Sequence, residues 1–99
     1  MIEQKLKIAL LEAADHFRVR GISEWESEAR DAVNRLENDD LSFVEKMWLK
    51  YAPTCEVEDL LITDYEVEAE NEVNILNAQL AEIANKVFWL LDSVKNDNT

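Results

Sequence analysis

The chain reads as all-α, a small helical bundle of about four helices with a long C-terminal helix, and three observations predict it. One glycine and one proline serve 99 residues, whereas strands joined by tight turns use such residues at every corner. Apolar residues recur at spacings of three and four through most of the chain, the period of a helix with one buried face. The last third carries a heptad repeat sustained for more than three heptads. At this length roughly 60–65% of the unfolded surface can be buried, so residues 1–99 are read as a single acidic helical domain.

The first helix is expected from about Ile2 to Phe17, with Leu6, Ala9, Leu10, Ala13 and Phe17 on one stripe. Gly21 is the natural left-handed stop behind it. Ser23-Glu24-Trp25-Glu26 has the form of a capping box, in which the Ser23 hydroxyl and the Glu26 carboxylate satisfy each other's amides. Trp25, Ala29, Ala32, Val33 and Leu36 then line the face of a second helix that ends near Asn38. Asp39 or Asp40 is expected to cap a third, carrying Leu41, Val44, Met47, Trp48 and Tyr51. Pro53 ends it, because the residue before proline is pushed out of the α region. Residues 54–64 hold Val57, Leu60, Leu61 and Ile62 and fit a short helical turn or an extended segment equally.

The last helix is the plainest in the sequence. Ala69, Val73, Leu76, Leu80, Ile83, Val87, Leu90 and Val94 alternate steps of four and three, a heptad seam. Ile75, Ala84, Phe88 and Leu91 widen it, so more than one neighbour is expected. From Glu66 to Lys95 such a helix is roughly 45 Å long, against about 30 Å for a compact domain of this size. It therefore starts late, protrudes, or packs along a partner chain. A homodimer through Val73, Leu76, Leu80, Ile83, Val87 and Leu90 is one reading of the seam; core within one chain is the other.

Nothing in the composition favours catalysis. His16 is the only histidine and is expected at the surface, paired with Glu12 one turn away. A closed metal site needs more ligands than those two. Cys55 is the only cysteine, which excludes an internal disulfide and fits a reducing compartment; its neighbours Glu56 and Glu58 raise a thiol pKa, the wrong direction for a nucleophile. One glycine cannot build a phosphate-cradling loop. No catalytic residue, cofactor or metal is assigned. No stretch approaches the roughly 20 apolar residues that span a bilayer, and the short run Ile8 to Leu11, broken by Glu12, is no signal peptide. A cytoplasmic location, in a bacterial or phage-infected bacterial cell, is expected.

Charge is where the sequence is unusual. The net charge of −12 exceeds the roughly −8 that solubility asks of a small domain, and like charge repels itself at a cost in stability. Residues 1–50 hold eleven acids and eight bases; residues 51–99 hold eleven acids and only Lys86 and Lys95. Eight of those acids, Glu56, Glu58, Asp59, Asp64, Glu66, Glu68, Glu70 and Glu72, fall in one run without a base. A helix N-terminus favours carboxylates by about 0.3–1 kcal/mol each, which accounts for two or three of them. Tyr65, inside the run, and Trp25 are residue types favoured as interface anchors.

From Trp25 to Leu91 the order of features resembles a family of small helical bacterial proteins of uncharacterised function. The resemblance rests on the Trp25 helix, on Leu36-Glu37-Asn38-Asp39-Asp40-Leu41 at the place of a Leu-x-x-Gly-Asp-Leu-like corner, on Glu58-Asp59-Leu60 at the place of an Asn-Asp-Leu segment, and on the long last helix. Pro53-Thr54-Cys55-Glu56 stands where that family has glycines. The resemblance implies a helical fold and a bacterial or phage origin, and it assigns no site.

Two function classes follow. In one, the protein is a cytosolic inhibitor whose partner-binding residues are Glu56, Glu58, Asp59, Asp64, Tyr65, Glu66, Glu68, Glu70 and Glu72. Its carboxylates then stand in for phosphates in a basic groove of a nucleic-acid-processing protein. An immunity protein against a nuclease toxin and a phage-encoded blocker of a nucleic-acid-guided defence complex such as CRISPR are two forms of it. In the other, it is a helical adaptor that oligomerises through the seam. Neither calls for a membrane or for direct nucleic-acid contact, because phosphate binding needs clustered Lys and Arg.

Overall fold

The computed structural model describes residues 2–52, 57, 60–62 and 69–97, and among them are four helices and no strand: α1 (Ile2–Val19), α2 (Ser23–Glu37), α3 (Val44–Tyr51) and α4 (Glu70–Asp97). The all-α bundle with its long last helix is the observed architecture. α1 packs against α2 and α4, and α3 packs against α4.

α1 and α2 share a single corner. Gly21 takes a left-handed φ of 72°; its amide donates to the Arg18 carbonyl at 3.1 Å, and the Ile22 amide donates to the Phe17 carbonyl at 2.8 Å. These are the paired bonds of a Schellman ending. The Ile22 carbonyl then accepts the Glu26 amide at 3.1 Å, so Ile22 closes α1 and caps α2. The expected Ser23–Glu26 capping box does not form, since α2 has no side-chain cap. With Ile22 at the cap, Ser23 is already inside the helix, and the Glu26 carboxylate turns to Arg30 at 2.9 Å.

The second corner repeats this ending on a residue other than glycine. Asp39 has a φ of 56°, and the Asp40 amide donates to the Arg35 carbonyl at 2.8 Å. Asp40 does not cap α3, and neither does Asp39: Phe43 stands at the cap without a side-chain bond. The Asp40 carboxylate accepts the Ser42 amide and the Arg35 guanidinium, both at 2.9 Å. Ala52 has an extended ψ of 142°, the conformation its place before Pro53 demands.

The core lies between the four helices. Leu6, Leu10, Ala13 and Phe17 of α1 meet Leu80, Val87, Leu91 and Val94 of α4, and Trp25, Met47 and Tyr51 close the cluster. Its centre is an aromatic chain: Phe17 lies 5.6 Å from Trp25 between ring centroids, and Trp25 lies 5.3 Å from Tyr51. Trp48 stacks on Phe88 at 5.5 Å and donates from Nε1 to Asp92, which fixes α3 along α4. Val57 is buried in the same cluster, with Leu60 and Leu61 packed against it. Ile75, expected to widen the buried stripe, is 58% exposed.

Tyr51 carries an anomaly. It is 1% exposed, and its hydroxyl has no hydrogen-bond partner among the described residues. Burial, and then the nearby Glu28 carboxylate, push the phenol well above its ordinary pKa. A buried hydroxyl without a partner forfeits about 1–3 kcal/mol, while the ring keeps its packing if the oxygen is removed. Tyr51→Phe is therefore expected to stabilise the fold by about 1 kcal/mol, raising the urea midpoint at constant slope. A lower midpoint would show that the hydroxyl is bonded.

α4 is described from Glu70; Glu66, where the heptad suggests a start, lies outside the described residues. Its 28 residues amount to about 42 Å and set the long axis of a molecule measuring 47 × 22 × 20 Å. The length resolves into elongation of the whole bundle.

Candidate acidic partner-binding surface

Of the predicted partner-binding residues, Glu70 and Glu72 are placed: both are exposed in the first turn of α4, where the positive end of the helix dipole favours them. Glu56, Glu58, Asp59, Asp64, Tyr65, Glu66 and Glu68 lie outside the described residues, as does Cys55.

Within the run the chain is anchored at Leu60 and Ile62 by bonds to their backbone groups. Asn77 of α4 clamps Ile62, accepting its amide on Oδ1 at 2.8 Å and donating from Nδ2 to its carbonyl at 3.1 Å. Arg20, at the α1–α2 corner, donates from Nη2 to the Leu60 carbonyl at 2.6 Å. Six residues join Ile62 to Ala69, and four of them are acidic or Tyr65.

Ion pairing is uneven along the chain. Among the described residues the paired acids are Glu12, Asp15, Glu26, Glu28, Asp31, Glu37 and Asp40, all within residues 12–40. Exposed pairs of this kind contribute little to stability, yet they decide where charge is left over. Arg18 beside Asp15 holds that carboxyl below the usual range; hydrogen bonds from Ser42, then Arg35, do the same for Asp40. Neither base of the second half pairs with an acid of that half among the described residues. Lys86 reaches across to Glu12 of α1 at 3.2 Å, and Lys95 lies over the Trp48 ring, 5.0 Å from its centroid. Glu70, Glu72 and Glu82 have no ion-pair partner among the described residues.

His16 departs from expectation. It is 7% exposed rather than at the surface, edge-on to Phe17 at 5.7 Å and 3.4 Å from Arg20 Nη1. Glu12, its expected partner, pairs with Lys86 instead. Burial, and next the Arg20 charge, push the imidazole below its ordinary value of 6.5, so the fold holds it neutral. The unfolded chain then takes up this proton more readily, and stability rises with pH across the window. The contribution is complete above pH 6.5 and declines as the pH falls below it. His16→Gln should lose that component: between pH 7.5 and 5.5, wild type loses more unfolding free energy than the variant in urea titrations. Parallel losses would refute the buried neutral imidazole.

The heptad seam divides between two environments. Val73, Leu80, Val87 and Val94 are buried in the chain's own core, whereas Leu76, Ile83 and Leu90 are half-buried. Trp25 belongs to the core. Among the described residues the aromatic side chain left at the surface is Trp89, 57% exposed, which the heptad reading passes over. Its position off the seam, seven residues after Glu82 and fourteen after Ile75, is the signal that would have found it. Among the described residues no helix is long and apolar enough to cross a membrane, and no group of three or more His, Cys, Asp or Glu side chains is placed to hold a metal ion. The chain matches no family model, no curated protein and no solved structure.

Proposed function

We propose that this protein is a small acidic inhibitor that occupies a basic nucleic-acid-binding or active-site groove of a partner, with the carboxylates of residues 56–72 standing in for phosphates. An immunity protein against a nuclease toxin and a phage-encoded blocker of a nucleic-acid-guided defence complex both have this chemistry. The observation that supports it is the distribution of ion pairs. Among the described residues the paired acids all belong to residues 12–40, Lys86 and Lys95 face Glu12 and Trp48, and Glu70 and Glu72 at the head of α4 have no ion-pair partner. Like charge crowded along one stretch of chain costs stability through self-repulsion. A positive partner removes that penalty and is steered to the surface from a distance.

The test is capture from a bacterial lysate on the immobilised protein, at low and at high salt, followed by competition with duplex DNA or RNA. A basic nucleic-acid-processing protein, released by salt and displaced by nucleic acid, is the expected catch. Reversing Glu66, Glu68, Glu70 and Glu72 to Lys should weaken its binding by at least about 100-fold with the helical circular dichroism unchanged. Undiminished binding of the quadruple variant at modest salt would sink the reading.

A further inference from the structure

α1 and α4 run antiparallel, and on the side away from α2 and α3 they leave an open groove. One end is lined by Lys5, Ile8, Lys86, Trp89 and Leu90; the other by Asp15, Val19, Leu76, Glu82 and Ile83. The Glu12–Lys86 bridge crosses between them. The walls are apolar and uncovered: Ile8 is 49% exposed, Val19 65% and Trp89 57%, and the half-buried row Leu76, Ile83 and Leu90 runs along the floor. The Trp89 Nε1 already donates to Asn85 Oδ1 at 3.0 Å, so its polar edge is satisfied and its ring face is free to be covered.

The charges on the groove say what covers it. The two lining residues without an ion-pair partner among those described are Lys5 at one end and Glu82 at the other. A two-fold axis across the groove, near the Glu12–Lys86 bridge, turns the basic end of one molecule onto the acidic end of another. Isologous contacts of this kind need a patch that complements itself under a half-turn, and this one does in both charge and apolarity.

We infer that a second copy of this chain docks in the α1–α4 groove. The dimer is antiparallel and two-fold, α1 and α4 of each copy forming a four-helix layer, Trp89 of one seated against Ile83 and Val19 of the other, and Lys5 of each beside Glu82 of its partner. The contact uses the half-covered row of the α4 heptad together with the outer stripe of α1. Val73, Leu80 and Val87 stay within their own chain. The inference is independent of the charge-mimic reading, since none of residues 56–72 takes part.

The experiment is sedimentation equilibrium of the intact protein over a concentration series, with circular dichroism of each variant. Wild type should approach twice the 11.5 kDa monomer mass at tens of micromolar. Trp89→Ala, a change at an exposed position, should weaken association at least about 30-fold at unchanged helicity. Lys5→Glu and Glu82→Lys should each weaken it, and the double variant Lys5→Glu/Glu82→Lys should restore it, because the pair is merely exchanged across the interface. A wild type that stays monomeric up to about 100 μM overturns the proposal and leaves the groove to a helix of another protein. A dimer indifferent to Trp89→Ala, or a double variant no better than the singles, overturns it as well.

Discussion

Phe17→Ala should cost about 3–5 kcal/mol and leave the protein at the edge of unfolding at 25 °C. Phe17 is completely buried; its ring lies between His16 at 5.7 Å and Trp25 at 5.6 Å, at the point where α1, α2 and α4 converge. Truncation removes the transfer energy of the ring and leaves a cavity whose walls are held by three separate helices, so collapse recovers little. Domains of this size have about 5–15 kcal/mol in total, and each kcal/mol moves the Tm by about 4–8 °C. A fall in Tm of more than about 12 °C is expected. The Schellman bond from Ile22 goes to the Phe17 carbonyl and survives the change, so helicity below the transition should be kept. Leu11→Ala, at a position 40% exposed, is the control and should cost under about 1 kcal/mol. Equal effects of the two variants would contradict the location of the core.

Asn77→Ala should free residues 60–62 from α4 without unfolding the bundle. The Asn77 side chain satisfies both backbone groups of Ile62, and alanine can satisfy neither. Two bonds at about 0.5–1.5 kcal/mol each amount to roughly 1–3 kcal/mol, lost locally. Hydrogen exchange at the Ile62 amide should accelerate by at least about tenfold, while amides in α1 keep their protection. Asn77→Asp retains the acceptor for the amide and sets a carboxylate against the Ile62 carbonyl. It should protect the amide better than alanine does, and still fall short of wild type. Unchanged exchange in Asn77→Ala would mean that the hydrophobic contacts of Leu60 and Leu61 hold the segment alone. If the acidic run binds a partner, releasing its anchor also slows capture, since more chain must be ordered on binding.

Much of the bundle is legible in the residues because a helix is a local object. The faces Leu6-Leu10-Ala13-Phe17 and Trp25-Ala29-Ala32-Val33 are read from spacing alone, since side chains three and four apart share a face whatever surrounds them. The stops at Gly21 and Pro53 rest on the backbone preferences of those two residues. The caps were less legible. Ser23 has the right chemistry at the head of α2, but the Gly21 turn brings Ile22 to the cap first, and a hydrogen-bonding motif one residue out of place does not form. The candidate site divides the same way. Its charge is a property of composition, whereas the neutralisation of Glu12, Glu28 and Glu37 depends on which helix lies opposite.

His16 and Trp89 mark the boundary between the two kinds of information. Four residues of spacing bring Glu12 and His16 to one face of α1 and suggest a pair, yet α4 supplies Lys86 to Glu12, and the imidazole is buried beside Phe17. Nothing within one turn of helix could announce Lys86, which is 74 residues away. The heptad shows the same limit. Periodicity marks Val73, Leu76, Leu80, Ile83, Val87 and Leu90 as one seam, and it has no means of rotating that seam against a neighbour. Packing on α1 and α3 turns Val73, Leu80 and Val87 inward, leaves Leu76, Ile83 and Leu90 at the rim, and exposes Trp89. Helix formation, chain stops and the −12 charge follow from interactions within a few residues and from composition. The burial of His16, the pairing of Glu12 with Lys86, Glu28 with Lys50 and Glu37 with Lys7, and the uncovered α1–α4 groove follow from how the helices are turned toward one another, which is a matter of contacts between residues far apart in the chain.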